Sequence, residues 1–199
     1  MGFMDTRRIA LVQGHPDGSS VHLCHHLAQA YAAGAKAAGH ELRTIEVDAL
    51  DFPLLRRAED WKDGALPPGL EGARDTLLWC NHLVLMFPLW LGDMPALLKG
   101  FLEQLARPGI AFHKNVANPL AAKALGGRSA RIVVTMGMPA LVYRFVFRAH
   151  SVKSLERNIL GFVGIAPVRE TLIGGVEQLG EAGVARWVHK LERLGRAAE

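Results

Sequence analysis

The sequence contains only two cysteines in 199 residues, Cys24 and Cys80, and neither belongs to a Cys-x-x-Cys pair. We therefore expect buried structural thiols and no disulfide. The first residues, MGFMDTRR, place charge ahead of one short apolar strand, and no cleavage-like site follows, which argues against a secretory signal. Together these features predict a cytoplasmic protein.

Long hydrophobic runs are also missing, so we expect no membrane insertion. The formal net charge is +4 and the pI is about 9.3. The basic residues are spread along the chain and do not cluster with aromatic residues, which argues against a nucleic-acid partner. A phosphate-bearing cofactor accounts for the same positive bias. With 50% hydrophobic and 21% charged residues and no repeat, the composition predicts one globular domain over residues 1–199.

The common nucleotide and metal signatures are absent. No Gly-Lys-Ser/Thr and no Gly-x-Gly-x-x-Gly occurs, which excludes the usual phosphate-binding fingerprints. His22, His25 and His26 lie close in sequence, but no Glu stands between them in the zincin pattern and no third ligand is marked. We therefore predict no metal site.

Five segments of strand length are present, and they alternate with helical patterns. They cover residues 8–13, 41–47, 83–87, 130–135 and 168–173. Residues 41–47 alternate apolar and polar side chains, as an edge strand would. The alternation of strands with helices predicts a parallel sheet with right-handed crossovers and helices on both faces. Five strands fit the flavodoxin-like order 2-1-3-4-5, so we predict a flavodoxin-like α/β fold with three layers.

In that order the loop after the first strand and the loop after the third strand meet across one crevice. The first loop, Gly14–Ser20, brings Ser19, Ser20 and unpaired backbone N–H groups to the start of a helix, where a phosphate is favoured. A serine N-cap without any ligand is the alternative interpretation. The second loop displays a bulky apolar tip, Leu89–Leu91, which suits either the floor for a flat ring or a contact with a neighbouring subunit.

Three apolar connections also predict a homodimer: the tip, the 136–139 loop and the long 107–128 connection. Trp61, in the polar connection before the third strand, is either a lid or a packing residue.

The segment FPLWLGDMPALLKGFLEQ resembles the F-P-L-x-W-x-G-x-P-A-x-L-K-G segment of flavin-dependent NAD(P)H:quinone oxidoreductases, the DT-diaphorase-like family. VQGHPDGSS and VTMGMPA are similar to the first and third ligand loops of that family. The resemblance implies an enzyme that transfers a hydride from NAD(P)H through bound flavin to a quinone-like aromatic acceptor. The alternative is a flavin-binding regulatory subunit of a membrane transporter, with incidental reductase activity.

The resemblance also implies the residues of the site. The first loop and its helix would hold the flavin phosphate and ribityl chain through Gly14, His15, Ser19, Ser20, Val21 and His22. The second loop would turn its backbone toward the polar edge of the ring, at Pro88, Leu89, Trp90, Leu91 and Gly92. The third loop would add Thr135, Met136, Gly137 and Met138. This chain departs from the family at His22, where Asn is usual, and in the position of its tryptophan.

FAD-binding members carry Gly-Glu-Phe-Ala-Tyr after the central helix, whereas residues 108–112 here read Pro-Gly-Ile-Ala-Phe. The acid that would meet the adenosine ribose is missing, so FMN is favoured over FAD. The family also places a Tyr and a His after the third loop, which implies catalytic roles for Tyr143 and His150. Both would stabilise negative charge at the flavin edge. The alternative is a Tyr and a His packed at a kink of a helix predicted over 142–161.

Overall fold

A computed structural model gives the fold of this chain and describes residues 6–114, 116 and 123–199. Within these residues, five parallel strands form one sheet in the order β2-β1-β3-β4-β5. The strands are β1 (Arg8–Gln13), β2 (Glu41–Glu46), β3 (His82–Pro88), β4 (Ser129–Thr135) and β5 (Val168–Ile173). The predicted order is confirmed, and the predicted strand ends differ from these by no more than one residue. Residues 115 and 117–122 of the apolar 107–128 connection lie outside the described residues.

The helices connect successive strands and close the chain. They are α1 (Leu23–Ala37), α2 (Ala58–Lys62), α3 (Glu71–Trp79), α4 (Ala96–Leu105), α5 (Ala140–Phe145), α6 (His150–Ser154), α7 (Gly161–Val163) and α8 (Gly180–Ala197). A π-helical segment, Leu155–Leu160, joins α6 to α7. None of the helices described is long and apolar enough to cross a membrane.

Two helix boundaries differ from the prediction for local reasons. The helix predicted over 142–161 is broken by Arg148 and Ala149, whose φ angles of 54° and 49° are left-handed and therefore do not continue a helix. The apolar spacing predicts a last helix over 177–196, but this helix begins at Gly180 because a short 3₁₀ turn, Val176–Gln178, precedes it.

The three central strands, β1, β3 and β4, are buried on both faces, which explains their nearly continuous apolar sequences. Along β1, Ile9 and Leu11 pack with α1 and α8, whereas Ala10 and Val12 belong to the core on the opposite face. This alternation follows from the two-residue period of a strand. Helices therefore cover both faces of the sheet, as predicted.

The helices α1 and α8 approach closely because each presents a glycine to the other. A Cβ built on Gly34 would lie 1.9 Å from the carbonyl oxygen of Glu192, and one built on Gly195 would lie 2.1 Å from that of Tyr31. Real Cβ atoms do not make such contacts, so both positions require glycine at this helix separation.

Trp61 packs against the end of α4. Its indole N–H donates to the carbonyl oxygen of Ala106 at 2.7 Å, and its ring contacts Phe112 edge-on. Of the two sequence interpretations of Trp61, the structure agrees with packing.

Candidate active site

The loops after β1, β3 and β4 meet at the carboxyl edge of the sheet and enclose a cleft of about 350 Å³. This is the switch point of the sheet, because the chain leaves β1 toward β2 on one side and β3 lies on the other. The cleft is lined by His15, His22, Leu23, Cys24, Pro88, Leu89, Trp90, Thr135, Met136, Gly137, Val176 and Glu177. The strand order predicted that the loops after β1 and β3 would meet, and the structure confirms this; the loop after β4 was implied by the family resemblance.

Gly14 carries the first loop close to the third strand. Its N–H donates to the carbonyl oxygen of Met86 at 2.7 Å, and a Cβ there would lie 2.7 Å from Cδ2 of Leu98. Gly14 does not line the cleft. Its role in this structure is to let the loop turn sharply out of the sheet.

His15 is buried and is held by the backbone around it. Its N–H donates to the side-chain oxygen of Gln13 at 3.0 Å, and its Nδ1 accepts from the N–H of Asp17 at 3.1 Å. Burial, and then the charges of His22 and His25, lower the pKa of His15. A neutral His15 therefore carries its proton on Nε2, because Nδ1 is used as an acceptor.

Several donors of the first loop converge on the carboxylate of Asp17. Its Oδ1 accepts from the Ser19 N–H at 2.9 Å and from the Ser19 hydroxyl at 2.5 Å. Its Oδ2 accepts from Nε2 of His22 at 2.8 Å and from the Ser20 hydroxyl at 3.4 Å. The hydrogen bonds from Ser19, followed by that from His22, hold the pKa of Asp17 well below its usual range. Four donors thus form a cradle around one oxyanion, and donors of this kind also suit the oxygens of a phosphate group.

Aromatic rings connect this cradle to the second loop. The rings of His15 and His22 stack with centroids 4.0 Å apart and planes 16° from parallel. Trp90 meets His15 edge-on at 5.9 Å, and 48% of Trp90 remains exposed. The cleft therefore joins a polar anion cradle to a half-open aromatic wall.

The second loop ends in a tight turn between Trp90 and Asp93. Trp90 N–H donates to the carbonyl oxygen of Asp93 at 2.8 Å, and Asp93 N–H donates back at 3.0 Å. The two residues at the centre of the turn, Leu91 and Gly92, have φ angles of 48° and 82°. Leu91 is fully exposed in this strained conformation, which is uncommon for a leucine.

The third loop is tied to the end of β5. Met136 N–H donates to the carbonyl oxygen of Ile173 at 2.8 Å, and Val176 N–H donates to that of Met136 at 3.2 Å. Gly174 permits this approach, because a Cβ there would lie 2.1 Å from the Ala140 nitrogen. This contact brings Val176 and Glu177 to the cleft.

Some backbone N–H groups of these loops already donate hydrogen bonds within the protein. Leu89 N–H donates to the carbonyl oxygen of Thr135 at 2.8 Å, and the N–H groups of Trp90 and Met136 are engaged as described above. Gly137 and Met138 follow directly, and their N–H groups have no acceptor within the part of the chain that the structure describes. They are among the donors of this edge that remain for a ligand.

Of the cofactor-binding residues predicted from the sequence, the cleft includes His15, His22, Pro88, Leu89, Trp90, Thr135, Met136 and Gly137. Ser19 and Ser20 reach the cradle, whereas Val21 is exposed beside it. Leu91 and Gly92 form the exposed tip, and Met138 packs at the edge of the core. The sequence interpretation missed Asp17, Leu23, Cys24, Val176 and Glu177. The position of the last two was available from the strand order, because β5 ends at the same edge.

The structure does not bring Tyr143 or His150 to the cleft. The Tyr143 hydroxyl is buried between α5 and α6, 2.6 Å from the Ser151 hydroxyl, and it accepts from Val152 N–H at 3.4 Å. His150 is exposed as the first residue of α6. Neither residue lines the cleft, so the structure does not support their expected position over the ring, and that position and the catalytic roles of both stay predictions.

Both cysteines are buried and free. Burial raises the pKa of Cys24 to about 12, so its thiol is not a nucleophile near neutral pH. Among the described residues, no group of three or more His, Cys, Asp or Glu side chains is arranged to hold a metal ion.

Comparison with known proteins places this site in context. Residues 7–194 match a family model described as flavodoxin-like fold, and the chain therefore belongs to the flavodoxin-like family. YcaK of Escherichia coli (strain K12), an uncharacterized NAD(P)H oxidoreductase, is 31% identical over 142 residues. The match covers 67% of this chain and 71% of that relative.

Two solved structures share the whole fold. NAD(P)H:quinone oxidoreductase from Methanothermobacter marburgensis has a TM-score of 0.78 at 19% identity, covering 96% of each chain. An FMN-dependent NADH-azoreductase from Bacillus anthracis (str. Ames Ancestor), in complex with FMN, has a TM-score of 0.69 at 16% identity. That match covers 96% of this chain and 99% of the other. At these identities the likeness shows the fold.

Proposed function

We propose that this chain is an FMN-dependent NAD(P)H oxidoreductase that passes reducing equivalents to a quinone-like aromatic acceptor. The observation that carries the proposal is the anion cradle around Asp17, which opens into a cleft walled by Trp90 at the switch point of the sheet. The named relatives are oxidoreductases, so they support an enzyme and lend no support to the transporter-subunit alternative.

The donors that hold the Asp17 carboxylate fit a phosphate group. Ser19, Ser20 and His22 would bind the FMN phosphate after Asp17 turns away, because a phosphate presents more oxygens and more charge to the same donors. Gly109 stands where FAD-binding members carry an acid, so no carboxylate at this position is available for an adenosine ribose. FMN therefore suits this site better than FAD.

Bound FMN supplies a ring that takes an electron pair from NAD(P)H and returns it to an acceptor. The protein side chains bind the flavin, orient it and shield it from solvent. Trp90 and Leu89 provide the apolar wall, and the free N–H groups of Gly137 and Met138 provide donors for the polar edge. Donors already fixed in a loop stabilise developing negative charge without reorganising.

We also propose that two copies of the chain pair through the exposed apolar face of α5. That face consists of Leu141, Val142 and Phe145 and continues into Val146 and Phe147, which directly follow the helix; Phe145 and Val146 are each 71% exposed. It follows the third cleft loop directly in the chain and is too apolar for a surface that meets only water. A second copy there would bury this apolar surface.

Light scattering at micromolar protein tests this pairing. Phe145→Glu should give monomers because it places a charge at the centre of the apolar face. Phe162→Glu, at an exposed phenylalanine away from α5, should leave the mass unchanged. A wild-type protein that is monomeric with flavin bound would contradict the proposal.

A cytoplasmic location is part of the proposal and is supported by two buried, unbonded thiols. Fractionation of cells that express the tagged chain checks it.

The function itself is tested by reconstituting the purified protein with FMN and following NADH and NADPH oxidation with a quinone and with an azo dye. We expect a yellow protein with ping-pong kinetics, because both substrates use one cleft. His22→Ala should weaken FMN binding about tenfold, as loss of a charge-assisted hydrogen bond would. His26→Ala, an exposed neighbour on the same helix, should have no effect. A protein that stays colourless with excess FMN would contradict the proposal.

A further inference from the structure

A second cavity, of about 320 Å³, lies at the opposite edge of the sheet, where the strands begin. Its polar lining comes from the residues before or at the start of four strands and from the end of α8: Arg7, His82, Arg128, Ser129, Arg169 and Glu199. The flavin cleft lies at the carboxyl edge, so this cavity is a separate site.

Arginine side chains converge on this cavity. Burial, followed by the charges of Arg7, Arg131 and Arg169, lowers the pKa of His82 to about 4. Three guanidinium groups therefore act on one imidazole, which is 98% buried and neutral at ordinary pH. Arg131 is itself buried behind the lining. The buried charge of Arg131 is costly unless an anion balances it.

The internal hydrogen bonds do not balance this charge. Arg7 donates to the Ser129 hydroxyl at 3.3 Å, and that hydroxyl also pairs with Nδ1 of His82 at 2.8 Å. Among the described residues that line the cavity, Glu199 is the single acid, and its Oε2 lies 2.7 Å from Nη1 of Arg169. In the same part of the molecule, Nε2 of His82 and Nε of Arg131 are buried without a hydrogen-bond partner.

We propose that this cavity binds the phosphate group of a small molecule, with Arg7 and Arg169 as its principal ligands. A phosphate carries close to two charges at neutral pH and offers three terminal oxygens, so it can join several guanidinium groups, whereas a carboxylate offers two oxygens. The cavity volume lies at the lower end of the range of small-molecule pockets. The Ser129 hydroxyl supplies a further polar contact at the centre of the lining.

Glu199 acts as an internal competitor at this site. Its carboxylate occupies Arg169, and the neighbouring arginines hold the pKa of Glu199 below its usual range, with Arg169 the largest influence. Phosphate binding replaces this carboxylate on Arg169. Removing the carboxylate therefore makes binding tighter, and removing the arginine makes it weaker.

The test is calorimetric titration of inorganic phosphate into the protein saturated with FMN, at constant ionic strength maintained with sodium chloride. Saturating FMN keeps phosphate out of the cleft cradle. We expect one saturable site, weakened about tenfold in Arg7→Gln and in Arg169→Gln and tightened severalfold in Glu199→Gln. Arg186→Gln, at an exposed arginine of α8 outside the cavity, is the matched control and should titrate as the wild type does.

Arg7 and Arg169 are exposed, so both variants should fold, and unchanged FMN affinity will show that the cleft is intact. Heats that do not saturate, or that are equal in all four variants, overturn the proposal because they would show only ionic screening. If FMN does not bind, the arginine variants still test the phosphate site, because Arg7 and Arg169 lie at the edge of the sheet opposite the cleft.

Discussion

The carboxylate of Asp17 and the imidazole of His22 lie 2.8 Å apart at the mouth of the cleft. His22 is the N-cap residue of α1, at the end of the helix where the dipole would stabilise a phosphate, and the Asp17 carboxylate lies there. The cradle is thus already arranged for an oxyanion, and it is filled by a group of the chain itself.

Asp17→Asn should increase the affinity for FMN, by about three- to tenfold, because the amide competes less well for the donors and no longer repels a phosphate. Quenching of flavin fluorescence on binding measures the affinity. The affinity for riboflavin, which lacks the phosphate, should increase much less. Asp75→Asn, on the exposed side of α3, is the control. Weaker FMN binding in Asp17→Asn would show that Asp17 supports the loop and does not compete with the ligand.

Gly195→Ala should lower the free energy of unfolding by about 3 kcal/mol, because its Cβ would meet the carbonyl oxygen of Tyr31 at 2.1 Å and push α1 from α8. Gly72→Ala, in α3, is the matched control: nothing lies within 4 Å of its Cβ. That variant should gain about 0.5 kcal/mol from helix propensity. Urea unfolding measures both. Equal stabilities of the two variants would mean that the helices separate without cost.

Stability should fall in acid partly through His82. Its pKa is about 4 in the folded chain against 6.5 for the free side chain, so the unfolded state binds the proton more readily. The contribution of His82 is complete above about pH 6.5 and is lost as the pH falls through about 4. It amounts to on the order of 3 kcal/mol.

Urea unfolding between pH 7 and pH 4 measures this loss. His82→Gln should flatten the pH dependence, whereas His189→Gln, exposed on α8, should not change it. Parallel curves for the wild type and His82→Gln would exclude His82 as the titrating group.

Tyr143→Phe distinguishes a structural role of the Tyr143 hydroxyl from a catalytic one. Its hydroxyl is 2.6 Å from that of Ser151 inside the fold, so we expect a loss of about 1 kcal/mol in stability and no change in the rate of flavin reduction by NAD(P)H. Stopped-flow absorbance measures that rate. Reduction slowed about ten- to hundredfold at unchanged flavin content would instead support the catalytic role implied by the family resemblance. His150→Ala provides the same comparison at an exposed position.

The sequence determined the order of the sheet and the location of its ligand loops. Continuous apolar runs such as 83–87 indicate strands buried on both faces. The alternation of strands and helices is compatible with only a few sheet topologies. Once the order was fixed, parallel strands had to deliver Gly14–Ser20 and Pro88–Gly92 to one edge. These features depend on local patterns and on chain connectivity, which a sequence displays directly.

Only the tertiary structure decided which groups face one another. The sequence does not show that Asp17 takes the donors of Ser19 and His22, or that the Tyr143 hydroxyl turns inward. It also does not show that Arg7 and Arg169, 162 positions apart in the chain, share one cavity. Such contacts depend on side-chain directions and on distances between elements, which are fixed by packing across the whole molecule and not by any one segment.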